Sequence, residues 1–484
     1  MGDTIPAEKR KPLKDDIDSG FAWVVLIGCF VMYMFVVGSI KAYGMLYTEV
    51  VEYYSSGSGN TAWIGSIAII LELGLGPIAN FLCKIYTFRR VTTIGGILVG
   101  LGCFLSGFVT RMEYMYLTFL CAGLGYGLTY APCSTIISYY FNKRRGLAIG
   151  ITVSGGGVGA IALPFLYKYL IEKHGLKGMF WIIGAIFANI CVAACLFRQP
   201  IYLIKERKKR VLANNSSNNG YDVGGGRSSL GENGENIAQG INKSRCDALD
   251  LRFSLFKNVL FTLYVTSFMC CAFGYVGSLV TIPGNVKALG YDRTYVALSV
   301  TISAGVEVLA RILIGLFADM NIIKRKYIYA VSMFIGGVFS LLAPFFESFT
   351  FIAVYAVIVA TFSGSFISLM PLILIDVVGL ENFAPAFGLL TFSLAVAVLP
   401  SQPSVGWLYD LYGNWNPSLI LTGCMYILAG IIVLLEPIVI RCCTKRDNEE
   451  SSSPDNQRQI HNQCTAAEDM CKDNVGFSDT SFAS

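Results

Sequence analysis

The chain has 484 residues, 54% hydrophobic and only 14% charged, against about 25% charged in soluble domains. Its 37 Lys and Arg against 32 Asp and Glu leave a net charge of +5, too mild for a nucleic-acid-binding surface, and two His leave little for a metal centre or a His-based catalytic set. With a mean hydropathy of +0.58, the composition is that of an integral membrane protein.

Residues 1–20 are hydrophilic and carry no cleavage pattern, so the first span reads as an uncleaved anchor behind a cytosolic tail. Crossing a bilayer takes about 20 mostly apolar residues. Such windows fall near 21–48, 61–83, 91–110, 114–139, 146–169 and 178–197, and again near 257–282, 295–318, 327–346, 349–375, 384–408 and 416–440. The expected fold is all-α, with twelve transmembrane helices in two six-helix halves, 21–197 and 257–440. Between them, residues 198–256 open on a basic run (Lys205, Arg207 to Arg210) and continue through a Gly/Asn/Ser-rich stretch, Asn214 to Gly234, the composition of a flexible linker. Residues 441–484 form a second polar tail.

Basic residues collect on the cytosolic side of membrane proteins. With the N-terminus inside, 29 of the 37 Lys and Arg fall inside, six outside, and two, Lys41 and Arg311, within spans. Both termini and the linker are therefore expected to be cytosolic. None of the 15 Cys falls in an outer loop, so free thiols are expected, and Cys442 and Cys443 are candidates for palmitoylation. The sequons at Asn214, Asn215 and Asn242 fall in the linker, out of reach of glycosylation.

The second span ends Gly76-Pro-Ile-Ala-Asn80, with Arg89-Arg90 following; the eighth ends Gly315-Leu-Phe-Ala-Asp319, with Lys324-Arg325 following. Both copies place a Gly, a polar group four residues on, and a basic pair in a short inner loop. Asn80 and Asp319 can each pair with loop cations or cap a helix end. Two halves repeating in parallel resemble the major facilitator type of transporter. Spans 4 and 5 carry many small residues (Gly123, Gly125, Gly127, Gly150, Gly155 to Gly157, Gly159), suited to close helix packing or to sliding between halves.

An ionisable residue inside a span costs several kcal/mol unless paired or hydrated. Glu307 and Arg311 stand i, i+4 in the eighth span and can pair on one helix face. The pair either locks two helices or serves a site, where Arg holds a carboxylate bidentately and the acid takes a proton. Lys41 sits in Gly38-Ser-Ile-Lys-Ala-Tyr-Gly44, toward the outer end of span 1; it either snorkels to the interface or faces substrate. Glu72 in span 2 has no basic residue on its own helix and is a candidate for the Asn80 network. Asp319 and Asp376 read as loop-network members. No nucleophile–base set or metal spacing is present, and Gly224 to Gly226 lacks the Lys-Ser/Thr of a phosphate loop, so neither an enzyme, a cofactor nor ATP-driven transport is indicated.

Two motifs narrow the reading. Asp18-Ser-Gly-Phe-Ala-Trp23, before span 1, and Tyr140-Phe-Asn-Lys-Arg-Arg-Gly-Leu-Ala-Ile-Gly150, between spans 4 and 5, resemble the signatures of the monocarboxylate transporters (solute carrier family 16). Ser19, Thr152, Ser154 and Gly156 depart from that pattern. Asp376-Val-Val-Gly-Leu, Phe383 to Gly388 and Gly406-Trp-Leu-Tyr-Asp410 resemble its span 10–12 region. The resemblance implies a secondary active transporter moving a small monocarboxylate with a proton by alternating access, at the plasma membrane. Lys41, Arg311 and, by a looser match, Phe362 would contact substrate; Glu307, standing where Asp is usual, and Lys41 would couple the proton. Some relatives need a single-span immunoglobulin-type glycoprotein as partner. The alternatives are a pH-independent facilitative carrier of a larger or zwitterionic carboxylate (aromatic amino acid, creatine, carnitine or thyroid-hormone type) and, further off, a non-transporting sensor.

Overall fold

The computed structural model describes residues 17–54, 58–200, 253–346 and 348–441. The expected N-terminal tail before residue 17, the linker with its basic run and sequons, and the C-terminal tail with Cys442 and Cys443 lie outside the described residues.

The first span is α1 (Gly20–Tyr54). The second is two helices, α2 (Ser58–Gly74) and α3 (Gly76–Ile85), bent by 46° where the sequence suggested one helix. Pro77 in the first turn of α3 supplies the reason: it has no N–H to continue the ladder from α2. The third and fourth spans are α4 (Phe88–Ser106) and α5 (Met112–Tyr140). The fifth and sixth run through α6 (Arg145–Phe187) and α7 (Ile190–Cys195). The second half comprises α8 (Val259–Ala288), α9 (Arg293–Asp319), α10 (Arg325–Leu342) and α11 (Phe349–Ile358) with a π-helical turn at Val359–Ser363. It closes with α12 (Phe366–Tyr412) and α13 (Asn416–Leu434).

Among the described residues, length and hydropathy alone mark eight spanning segments, and the bent α2–α3 pair makes a ninth. Two of the eight, Arg145–Cys195 with 51 residues and Phe349–Tyr412 with 64, far exceed what a hydrocarbon layer of about 30 Å accommodates at about 1.5 Å per residue. Each is broken at a glycine in the left-handed region, Gly175 (φ 67°) and Gly379 (φ 74°), so each provides two crossings. The twelfth is α5, whose residues from Thr129 to Tyr140 are all buried. That half of the helix is surrounded by protein and need not be apolar toward lipid, which explains its Tyr, Ser and Thr content, whereas Leu117 and Leu120 in the first half are exposed.

Helix α9 shows the inverse pattern of a soluble helix. Glu307 and Arg311 turn inward, whereas Leu309 and Leu313, 63% and 62% exposed, form the outward face that lipid would cover.

The two halves meet along glycine seams near the face at which α1 begins. A Cβ on Gly146 would stand 2.3 Å from the Gly315 carbonyl oxygen, and one on Gly150 2.5 Å from that of Arg311, so α6 and α9 touch backbone to backbone. The equivalent seam joins α3 to α12, where a Cβ on Gly388 would stand 2.7 Å from Cα of Pro77. Glycines 155 and 159 of α6 press in the same way on α1, against the carbonyls of Phe30 and Met34. The small residues of span 5 thus serve both packing within a half and contact between halves.

The repeated polar residues bridge these seams. Asp319 accepts hydrogen bonds from the amides of Gly146 (2.7 Å) and Leu147 (2.8 Å), capping α6 of the opposite half instead of the helix that follows it. Asn80 donates to the Ala384 carbonyl (2.8 Å) on α12 and accepts from Thr135 (3.1 Å). The loop cation Arg325 pairs with Asp376 at 2.7 Å, as a loop network requires. Asp319→Asn removes the charge that faces the start of α6. Amide exchange at Gly146 and Leu147 is expected to quicken ~5-fold, equivalent to about 1 kcal/mol of lost cap; unchanged protection at both amides would show that the carboxylate holds nothing there.

The two signature motifs pack as one unit. The Asp18 carboxylate accepts from the amides of Asn142 (3.3 Å) and Lys143 (3.0 Å), while its own amide donates to the Tyr140 carbonyl (3.0 Å). The Trp23 and Phe141 rings meet edge-on at 5.4 Å. Arg145 closes the turn by donating from Nε to the carbonyls of Ser138 (3.1 Å) and Phe141 (2.8 Å).

Candidate functional site

Three of the four residues expected at the site come together between the halves. The Lys41 ammonium, on α1, donates to Glu307 Oε2 at 2.7 Å and to the Tyr275 hydroxyl at 3.0 Å. The Tyr275 hydroxyl, on α8, donates to Glu307 Oε1, and Arg311 Nη2 donates to the same oxygen. Arg311 Nη1 donates to the Val153 carbonyl at 3.0 Å, on α6 of the other half, and its Nε has no hydrogen-bond partner among the described residues. Lys41 therefore points into the bundle, and the snorkelling alternative does not describe its position.

The local sequence explains this convergence. A helix turns 100° per residue, so the i, i+4 spacing stacks Glu307 and Arg311 on one face. Gly150 and Gly157 remove the side chains that would separate that face from α6: a Cβ on Gly157 would meet Val308 at 2.5 Å. Such close approach brings the Val153 carbonyl within reach of the guanidinium. Gly364, after the π-helical turn, leaves room beside Glu307, whose Cγ would lie 3.4 Å from an added Cβ.

Burial grades the three charges. The Arg311 side chain is fully enclosed, Glu307 is 6% exposed and Lys41 15%. Two cations and one anion leave the cluster with an excess positive charge, held in a place where a bare charge is costly. A small anion is the natural complement. The unpartnered Nε of Arg311 supplies an unused donor, and Lys41 is the more accessible cation.

Similarity to known proteins identifies the family. The family model of the Major Facilitator Superfamily matches the chain twice, over residues 29–282 and 263–478. Among relatives, monocarboxylate transporter 2 of Meriones unguiculatus is 31% identical over 417 residues, covering 86% of this chain and 83% of the relative. The chain belongs to the monocarboxylate transporters, within the Major Facilitator Superfamily. Monocarboxylate transporter 12 of Xenopus laevis is 28% identical over 438 residues, 90% of this chain and 92% of that one. The solved structure of the proton:xylose symporter XylE bound to 6-bromo-6-deoxy-D-glucose has a TM-score of 0.64 at 14% identity, covering 86% of this chain and 95% of that one; it supports the fold. The monocarboxylate-transporter chain is thus a multi-span transporter with the twelve-helix major facilitator fold, and not an enzyme.

Within this family member, Phe362 lies half-buried in the π-helical turn. The aromatic that meets the site's tyrosine is Phe366, its ring 5.7 Å from that of Tyr275 and nearly edge-on. Neither Tyr275 nor Phe366 stood out in the sequence, and the Val153 contact is made by main chain. Among the described residues Glu72 makes no hydrogen bond to Asn80; the titratable groups within its electrostatic reach are Lys41, Tyr33 and Tyr130. Tyr275→Phe removes a hydroxyl that serves Lys41 and Glu307 together. The half-saturation concentration for a transported carboxylate is expected to rise ~5-fold, the value of about one hydrogen bond. An unchanged value would make the hydroxyl a bystander.

Proposed function

We propose that this transporter moves a small monocarboxylate together with a proton by alternating access. The observation that carries the reading is the Lys41–Glu307–Arg311 cluster, which ties α1 to α9 at the contact between halves. In the empty site Glu307 occupies both cations. An entering carboxylate competes for them: Arg311 offers a planar fork and Lys41 a mobile point charge. As the substrate draws Arg311 away, Glu307 is left a buried acid with part of its countercharge lost, and a proton neutralises it. The buried charge is then the same with substrate and proton bound as in the empty site, so the halves can rock in either state without carrying extra charge into the membrane. Phe362 contributes apolar wall to the same pocket.

In this reading both termini are cytosolic, as the basic residues suggest, and the protein works at the plasma membrane. A single-span immunoglobulin-type glycoprotein assists its delivery, which co-expression would reveal as a gain in surface protein. The decisive test is uptake of labelled lactate at mildly acidic and mildly alkaline external pH. Uptake that rises with acidity supports the symport. The tight hold on Glu307 also favours a second reading, in which that acid is a permanent countercharge in a facilitative carrier of a larger or zwitterionic carboxylate. Uptake of such a substrate independent of pH, with no lactate uptake, would select it.

A further inference from the structure

Glu72 lies in α2, three residues before the break that separates α2 from α3, and is 6% exposed. Among the described residues no ion pair or hydrogen bond reaches its carboxyl. The titratable groups within electrostatic reach are Lys41 and Tyr33 on α1 and Tyr130 on α5. From α12, the residues nearest Gly74 and Gly76 are Ala395, Thr391 and Gly388, none of them titratable. The Tyr33 hydroxyl is engaged with Ser134. Among the described residues Lys41 is therefore the one cation within electrostatic reach of Glu72, and Lys41 is itself bonded to Glu307. A carboxyl buried in a membrane protein without a bonded partner is a functional group by default.

We infer that Glu72 is the proton-loading residue of this transporter, a carboxyl that takes a proton from water and supplies it to the Lys41–Glu307 pair. The inference rests on the symport reading above. When a substrate carboxylate draws Arg311 away from Glu307, an N–H bond of the Lys41 ammonium breaks and an O–H bond forms on Glu307. The Glu72 acid, which no direct bond joins to Lys41, then gives its proton through a bridging water to the Lys41 amine, restoring the ammonium, and the Glu72 carboxylate takes a proton from hydronium. The sum is one proton moved from water to Glu307, with Lys41 and Glu72 returned to their starting forms. The position of Glu72 beside the bend in the second span, one turn from the contact of Gly76 with α12, places this loading step next to the seam that must open and close.

The test compares two modes of transport in Glu72→Gln at matched surface expression. Net uptake of labelled lactate down a proton gradient needs the site reloaded on every cycle; exchange of labelled for unlabelled lactate does not. Net uptake is expected to fall about tenfold or more, as on loss of a positioned acid–base group, with exchange close to wild type. Glu72→Asp is expected to restore net uptake with a displaced pH midpoint. Wild-type net uptake and pH profile in the Gln variant would overturn the assignment, as would loss of exchange together with net uptake. Should the Gln variant not reach the surface, the Asp variant decides: a displaced midpoint supports the role and an unmoved one refutes it. Wild-type lactate uptake that ignores pH would instead bring down the symport reading, and this inference with it.

Discussion

Arg311→Ala is expected to lower carboxylate uptake ~100-fold or more with the protein still at the surface. The guanidinium is fully buried, bonds Glu307 and the Val153 carbonyl, and keeps Nε without a partner among the described residues. A carboxylate received by such a fork gains hydrogen bonds worth about 1.5–3 kcal/mol each, so losing two accounts for two or more orders of magnitude in binding. Arg311→Lys keeps the charge but not the fork, and an intermediate loss of ~10-fold is expected. Removing one member of a buried ion pair also costs about 3–5 kcal/mol of stability, so flux is read per surface copy. Wild-type flux in a surface-expressed Ala variant would sink the substrate role of Arg311.

The second large effect is expected at Gly150. Even a Cβ there would stand 2.5 Å from the Arg311 carbonyl oxygen, on a helix of the opposite half. A leucine cannot be housed without pushing α6 from α9 along the whole seam. Overpacking of this kind costs about 1–3 kcal/mol, and here the cost falls only on the conformation in which the halves touch on this face. The equilibrium should move ~5- to 150-fold toward the form open at that face. Gly150→Leu is therefore expected to reach the membrane, bind substrate from one side and transport little. Thiol labelling of a cysteine introduced along the seam, at Val153, checks this: faster labelling than in the Gly150 parent is expected, and equal rates would show that the seam does not part there.

Much of this was readable from the sequence because the membrane makes it so. Charges in an apolar window are conspicuous, and Lys41, Glu307 and Arg311 stand out before any coordinates exist. The paired endings at Asn80 and Asp319 likewise exposed the repeat, although not their destination. A cap can serve the next helix or a distant one, and only tertiary packing showed that Asp319 reaches the start of α6. Tyr275 was invisible for the opposite reason. It is one of 26 Tyr in a chain where aromatics are common, and nothing local separates a tyrosine bonded to a buried acid from one that packs. Val153 contributes a carbonyl, which every residue has. Phe362 and Phe366 differ by about one helical turn, and the π-helical turn between α11 and α12 shifts the register that would have distinguished them. The bend in the second span was not expected from its single apolar window, although Pro77, which lacks an N–H, carries its cause.

The bond from Arg311 to Val153 has a consequence for pharmacology. The anchoring oxygen belongs to the peptide backbone, so no side-chain substitution at residue 153 deletes it, and the arginine is a strut across the seam as well as the receptor proposed for the anion. A ligand satisfied by Nε alone would leave the strut standing, whereas one that recruits Nη1 would take it down. This implies that a blocker and a cargo of equal affinity differ in a single hydrogen bond. Ligands that occupy the site without accelerating exchange are the ones expected to leave that bond intact.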